Sequence, residues 1–312
     1  MNINFSRISQ EQLLALDIIN DNELRIIFQK NEEFKYINIL ESKLINTNIY
    51  VTLVFCLENN SNIDFSSFEN IKEKVISIEL YNNERLSKIG KISIFPNLKK
   101  LVIKDLYDTK TDILELKNIN QLEELYILHE QLSPCQQCIV SEIEQLKKLT
   151  IKGLDLKVIK EMTYLQELVC YNLTDGTEMN NKIPKLKDLV ILRASKKINL
   201  DFLPYLKYLQ SLSLTGFSQI NTIPNLEKLK YLKNFWIKDF KNLEYFPKLS
   251  ENIEYIYISG AFPKLDLTSL STMLQPENFP NLKVLKVNLG SWKKSYPILR
   301  PFEGICEIGT IS

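Results

Sequence analysis

Histidine occurs once in these 312 residues, glycine eight times and cysteine five, and 39 basic residues against 38 acidic ones leave a net charge of +1. Each scarcity excludes something. A nucleophilic serine or cysteine that needs a histidine base could use only His129. No GxxxxGK[ST] and no GxGxxG is present, so the glycine loops that cradle phosphates are missing. A balanced charge provides no field to gather nucleic acid or an anionic membrane. The most apolar run, NIYVTLVFCL at 48–57, is about half the length a bilayer span requires. The first twenty residues do not read as a secretory signal, because Asp17 breaks their apolar stretch, Glu11 precedes it, and no small-residue cleavage site follows. These absences predict a soluble cytoplasmic protein that is not an enzyme.

The cysteines do not form a disulfide framework in a chain of this size. Cys135 and Cys138 make a CxxC, and His129 lies six residues upstream of it. A zinc-dependent protein would use these three residues and a fourth ligand from afar. A structural zinc site normally brings a second pair at similar spacing, and the sequence has none. No βαβ pattern surrounds the motif, as a thioredoxin-like redox site would require. Two reduced thiols in a loop are expected, with no metal and no cofactor.

What the chain has in quantity is repetition. FPNLKKLVIKDL at 95–106 is echoed by IPKLKDLVIL, IPNLEKLKYL and FPNLKVLKV further on. Numbering from the first leucine of LKKLVI, apolar residues recur at offsets 0, 3 and 5. The pattern starts at Val51, Val75, Leu98, Leu122, Leu146, Leu165, Leu186, Leu209, Leu232, Ile253 and Leu282. Eleven copies follow one another at spacings of 19–29 residues. Phe34, with Ile37 and Ile39, reads as a degenerate earlier copy. A two-residue apolar period marks a short strand, and a three-residue period such as Leu203–Leu206–Leu209–Leu212 fits a 3-10 turn. Neither piece can bury its apolar edge alone, so neighbouring copies must stack. The x-Pro-x-Leu tetrapeptides at 95, 183, 203, 223, 246, 262, 279 and 296 are read as connectors, since proline fixes φ and holds the preceding residue extended.

Over roughly residues 34–290 the chain resembles the leucine-rich repeat family, whose period is 20–29 residues around LxxLxL. The backward extension in threes resembles the subclass typified by a phosphatase regulatory subunit. The resemblance implies an α/β repeat solenoid: a horseshoe with a concave parallel β-sheet and short 3-10 or irregular convex segments. The family's Asn or Cys at offset 8 survives only as Asn59 and Asn83, while later copies carry mostly apolar residues, Leu106, Leu154, Leu173, Phe217 and Phe240 among them. An apolar ladder is expected to replace the amide ladder. Residues 1–33 form the expected N-terminal cap, with an amphipathic helix at about 9–20 that starts at Ser9 and turns Leu13, Leu14, Ile18 and Ile19 inward. Residues 291–312 form the expected C-terminal cap.

Within LxxLxL, offsets 2, 4 and 6 point away from the core. They place Trp236, Lys238, Tyr255 and Tyr257 on adjacent strands, and Tyr126, Tyr171, Lys152 and Lys104 towards the middle and start of the stack. Aromatics on an open sheet face either stiffen the sheet as cross-strand pairs or anchor a partner. The interleaved lysines suit an acidic protein surface better than nucleic acid. Lys228 and Lys230 fall on the return segment, where charge reversal is expected to change little. The function read from this pattern is a cytosolic protein-binding repeat, monomeric when free, which acts by occupying one folded partner as inhibitor, immunity-type protein or scaffold. An effector that binds a host protein is the alternative, and a zinc-dependent protein using His129, Cys135 and Cys138 is a further one.

Overall fold

The computed structural model describes residues 1–15, 22–45, 47–56, 63–81, 89–106, 112–129, 131–195 and 198–310. The chain divides into two compact units, Met1–Lys152 with Val158–Tyr164, and Gly153–Lys157 with Leu165–Ser312. Among the described residues the first holds seven strands: β1 (Asn2–Asn4), β2 (Glu23–Phe28), β3 (Tyr50–Phe55), β4 (Val75–Leu80), β5 (Lys100–Leu106), β6 (Glu124–His129) and β7 (Lys148–Lys152). The second holds seven more: β8 (Glu167–Tyr171), β9 (Asp188–Leu192), β10 (Ser211–Thr215), β11 (Asn234–Lys238), β12 (Tyr255–Ser259), β13 (Val284–Asn288) and β14 (Glu307–Gly309). Within each unit the strands pair in chain order and in parallel. One strand per repeat in an open parallel sheet is the solenoid expected from the spacing.

The return segments are short. They include 3-10 turns at Phe65–Lys74, Ile92–Ile94, Leu114–Asn118 and Leu203–Tyr205. Helices α1 (Gln10–Ala15), α2 (Ile37–Leu44), α3 (Pro134–Ser141), α4 (Met179–Lys182), α5 (Leu267–Met273) and α6 (Trp292–Leu299) complete the elements. The proline tetrapeptides at 95, 183, 203, 262 and 279 are β-turns, each closed by the leucine N–H donating to the carbonyl three residues earlier at 3.1–3.3 Å. Proline at the second turn position is the residue such a turn favours. The tetrapeptide at 296 differs, because Pro297 lies inside α6.

The core is the inward face of the strands closed by the return leucines. Leu101, Leu125, Leu168, Leu189, Leu212, Phe235, Ile256 and Leu285 are all fully buried. In the first unit Phe5, Phe28, Phe34, Phe55, Phe65 and Phe68 form one ring cluster with centroids 5.1–5.8 Å apart. Edge-to-face pairs of this kind add about 0.5–1.5 kcal/mol each beyond area burial.

Two strands lie ahead of Phe34, and Phe34 itself begins no strand: it sits in the 3-10 turn Asn31–Tyr36, and α2 follows. The apolar alternation Leu24, Ile26, Phe28 of β2 does what Phe34 was expected to do. The first copy is also shifted by one residue. Leu53 and Phe55, not Val54 and Cys56, align with Ile78 and Leu80, and the pairing slips between Val51 and Thr52. The stretch YVTLVF is apolar on both parities, so period alone cannot set its register. In α1, Ser9 caps as expected: its Oγ accepts from the Gln12 N–H at 3.2 Å, and Gln12 Oε1 accepts from the Ser9 N–H at 2.9 Å. Leu13 is buried but Leu14 is exposed, because a six-residue helix turns only one stripe to the core. Ile18, Ile19, Asn59 and Asn83 lie outside the described residues.

Immediately after each strand from β7 to β12 the backbone enters the left-handed region, at Gly153, Asn172, Arg193, Gly216, Asp239 and Gly260. From β8 to β12 the N–H at this position donates to the last strand carbonyl of the next coil, at 2.8–3.1 Å. The coil therefore turns without an amide ladder, and Leu154, Leu173, Phe217 and Phe240 fill the next position. Phe217 and Phe240 stack at 5.0 Å and 9°.

Candidate functional site

Strand parity decides which side chains reach the open face. In β8, β9, β10 and β13 the outward residues are half-buried by their neighbours, whereas in β11 Trp236 and Lys238 are exposed. Trp236 pairs in register with Ser213 on one side and Tyr257 on the other. It leans onto Tyr257, with ring centroids 5.1 Å apart at 28°, and remains 38% exposed. Tyr257 is followed in the same row by Lys286, whose ammonium is 3.0 Å from Glu307. Tyr255 lies beside Asn234 and Val284, with Lys283 Nζ 6.0 Å from its ring centre. Glu254 joins Lys233 and Lys283 at 2.7 and 2.5 Å. Hydrogen bonds from these two ammonium groups, Lys233 first, hold its carboxyl below the usual range. Ser259, in register between Lys238 and Asn288, buries a hydroxyl that has no hydrogen-bond partner among the described residues. The four residues Trp236, Lys238, Tyr255 and Tyr257 are thus brought together as one aromatic and cationic patch of the second unit.

The other candidates do not join that patch. Tyr126 lies in the first unit between Val102 and Thr150, its hydroxyl donating to Glu124 at 3.3 Å and Lys100 Nζ standing 5.4 Å from its ring centre. Glu124 is itself shared by Lys100 and Lys148 at 4.0 and 3.6 Å. Lys104 places its ammonium 4.7 Å from the ring centre of Tyr81. Lys152 ends β7 in the first unit, and Tyr171 ends β8 in the second, opposite Leu192.

One polar cluster of the first unit escapes sequence reasoning. Arg25 in β2 reaches across β3 to form a bidentate pair with Glu79 of β4, at 2.6 and 2.7 Å. Tyr81 donates its hydroxyl to the same carboxylate at 2.6 Å. The bridge crosses β3 where Thr52 and Val54 are buried, so it seals the open face there. Burial alone would raise the Glu79 pKa, but the hydrogen bonds from Arg25 and Tyr81 outweigh it and the net shift is downward. The Glu79 hydrogen bond raises Arg25, while burial first and then Glu79 raise Tyr81. Offsets 4 and 6 already mark Glu79 and Tyr81 as outward; only the alternation of ELRIIF could have supplied Arg25.

The CxxC lies on a helix and not in a loop. Ser133 caps α3 through a reciprocal pair with Gln136, and Pro134 opens the first turn. Cys135 is exposed and Cys138 half-buried. Among the described residues no group of three or more His, Cys, Asp or Glu is arranged to hold a metal; the His129 side chain lies outside them. Burial pushes the Cys170 thiol up to about 12, which removes it from thiolate chemistry. Among the described residues no helix is long and apolar enough to cross a membrane.

No family model and no curated protein sequence matches the chain. Among solved structures, an internalin (inlF) from Listeria monocytogenes is similar over 98% of this chain and 89% of its own, with a TM-score of 0.51 at 16% identity. The fold is the leucine-rich repeat. A second leucine-rich repeat structure, the ectodomain of the Arabidopsis thaliana receptor kinase GASSHO1/SCHENGEN3 in complex with Casparian strip integrity factor 2, aligns with 100% of this chain and 45% of its own, at 12% identity and a TM-score of 0.33. In the leucine-rich repeat described here the repeat positions account for the strands, and the outward rows account for the candidate patch.

Proposed function

We propose that this leucine-rich repeat protein works by occupancy: it binds one folded protein partner on the open face of its second unit and performs no chemistry of its own. The observation that supports this reading most is Trp236. It is a tryptophan left well exposed on a sheet face where the same row carries Ser213 on β10 and Val190 on β9, and its neighbour on β12 is Tyr257. It is held in one orientation by its stack on Tyr257. A large ring already fixed in place loses little entropy on binding, which is how aromatic anchors come to dominate interfaces. The cross-strand stack is therefore read as the support of an anchor as well as a stiffener of the sheet. Lys238 beside the aromatic pair favours an acidic partner surface. The role follows as inhibition, immunity-type neutralisation or scaffolding in the cytoplasm.

The test is affinity capture from native cell extract with wild type and with the Trp236→Ala/Tyr257→Ala double variant, read by quantitative mass spectrometry. The reading predicts one stoichiometric partner that the double variant loses. Equal recovery by both would refute it.

A further inference from the structure

The second unit carries a concentration of charge that its open face does not use. Consider the seven positions from five before to one after the first leucine of a repeat, residues 181–187, 204–210 and 227–233 ahead of β9, β10 and β11. The first coil contributes Lys182, Lys185 and Lys187, the second Lys207, and the third Lys228, Lys230 and Lys233, against Glu227 alone. Seven lysines less one glutamate make a local excess of six positive charges, on a chain whose net charge is +1. Among these lysines stand Tyr205, Tyr208 and Tyr231, which are 65%, 53% and 57% exposed.

Coil stacking brings these residues into one strip. The Gln210 and Ser211 N–H groups donate to the Lys187 carbonyl, and those of Lys233 and Asn234 donate to the Gln210 carbonyl. The rings of Tyr208 and Tyr231 stack at 6.4 Å and 20°. The repeat itself does not require such residues. The same positions ahead of β5, β6 and β7 hold three lysines against three glutamates and no tyrosine.

We propose that this lysine–tyrosine edge is a docking surface for a short acidic protein segment, distinct from the Trp236–Tyr257 face. Ammonium groups set around exposed phenol rings offer carboxylates a steering field, and the rings offer the segment's backbone and methylenes a rigid apolar bed with hydroxyls at its margin. The length of the strip argues for a short segment. On the following coil the same positions carry Lys248, Glu251 and Glu254, and Glu254 already engages Lys233 and Lys283. A polyanion longer than three coils would run onto carboxylates there, so the strip suits an acidic peptide and not a nucleic-acid backbone, which needs a continued basic track. Lys228 and Lys230 thereby acquire a role that their place on a return segment did not suggest.

The experiment is fluorescence anisotropy on the full chain, with a labelled Asp–Glu repeat peptide of about eight residues and a labelled oligothymidine as separate probes. The peptide should bind with an affinity that falls as salt rises. Lys207→Glu/Lys230→Glu and Tyr208→Ala/Tyr231→Ala should each weaken it at least ~10-fold, while Lys99→Glu/Lys117→Glu in the first unit should stay within about 2-fold. Trp236→Ala should also leave peptide binding unchanged, which separates this surface from the face site. The substituted side chains are exposed, so melting curves should not move; if one does, Lys207→Gln and Tyr208→Ser carry the same comparison. Absence of peptide binding to the wild type, edge variants that bind like it, or tighter binding of oligothymidine than of peptide would each overturn the proposal.

Discussion

At Gly260 a single hydrogen holds a turn open. Its φ is +95°, and a Cβ there would lie 2.0 Å from Asp239 Oδ1, the oxygen that accepts the Ala261 N–H at 2.9 Å. Gly290 has φ +83° with nothing near its missing Cβ. Both alanine variants meet the left-handed penalty of about 1–2 kcal/mol, but only Gly260→Ala must also displace Asp239. Thermal melts should show Gly260→Ala the more destabilising by about 1 kcal/mol or more. The polar counterpart is Glu79. Its folded pKa lies below the ordinary value, so the stability it contributes is present above the unfolded pKa of about 4.3 and is lost as pH falls through the lower folded value. Glu79→Gln should cost about 1–2 kcal/mol at pH 7, discounted for the partial exposure of Arg25. The difference from wild type should shrink steadily on acidification below about pH 4. A constant difference across melts from pH 7 to about 3 would show that the carboxylate charge contributes nothing.

At the scale of the element, β4 to β13 were legible because each repeat repeats its parity. Three apolar offsets fix which residues face inward, and one clear copy corrects its neighbours. The first strands had no such support. β1 has three residues, β2 precedes the recognisable copies, and β3 is apolar on both parities. The face residues Trp236 and Tyr257 followed from parity alone, whereas the Arg25–Glu79 bridge required the register of β2. The left-handed position after each strand stayed hidden because glycine, asparagine, aspartate and one arginine share it. Register itself can be tested in β8. Leu168 is fully buried opposite Leu189, while Gln166, two residues earlier, is half-exposed, and its backbone carbonyl accepts from the Lys187 and Asp188 N–H groups of the next coil. Leu168→Asp should unfold the second unit by burying an unpaired charge, and Gln166→Asp should change stability by less than about 0.5 kcal/mol. Equal damage from the two, seen by circular dichroism, would mean that the register is wrong.

For the whole molecule, partner binding uses surface that the fold does not need. A solenoid is complete when its inward leucines and phenylalanines stack, and Trp236 takes no part in that. If an anchored tryptophan is what the open face presents to a partner, its removal should be expensive for binding and cheap for folding. Buried Trp and Tyr anchors typically lose ~2 kcal/mol or more on truncation, about 30-fold in affinity. Lys238→Ala should act differently, through the association rate and its salt dependence. The most direct measurement is isothermal titration calorimetry of the captured partner against wild type, Trp236→Ala and Tyr257→Ala, with a melting curve for each. Both variants should lose at least roughly 30-fold in affinity, while their melting curves move by no more than the ~1 kcal/mol that a cross-strand pair contributes. Wild-type affinity in Trp236→Ala, with the fold intact, would contradict the anchor role.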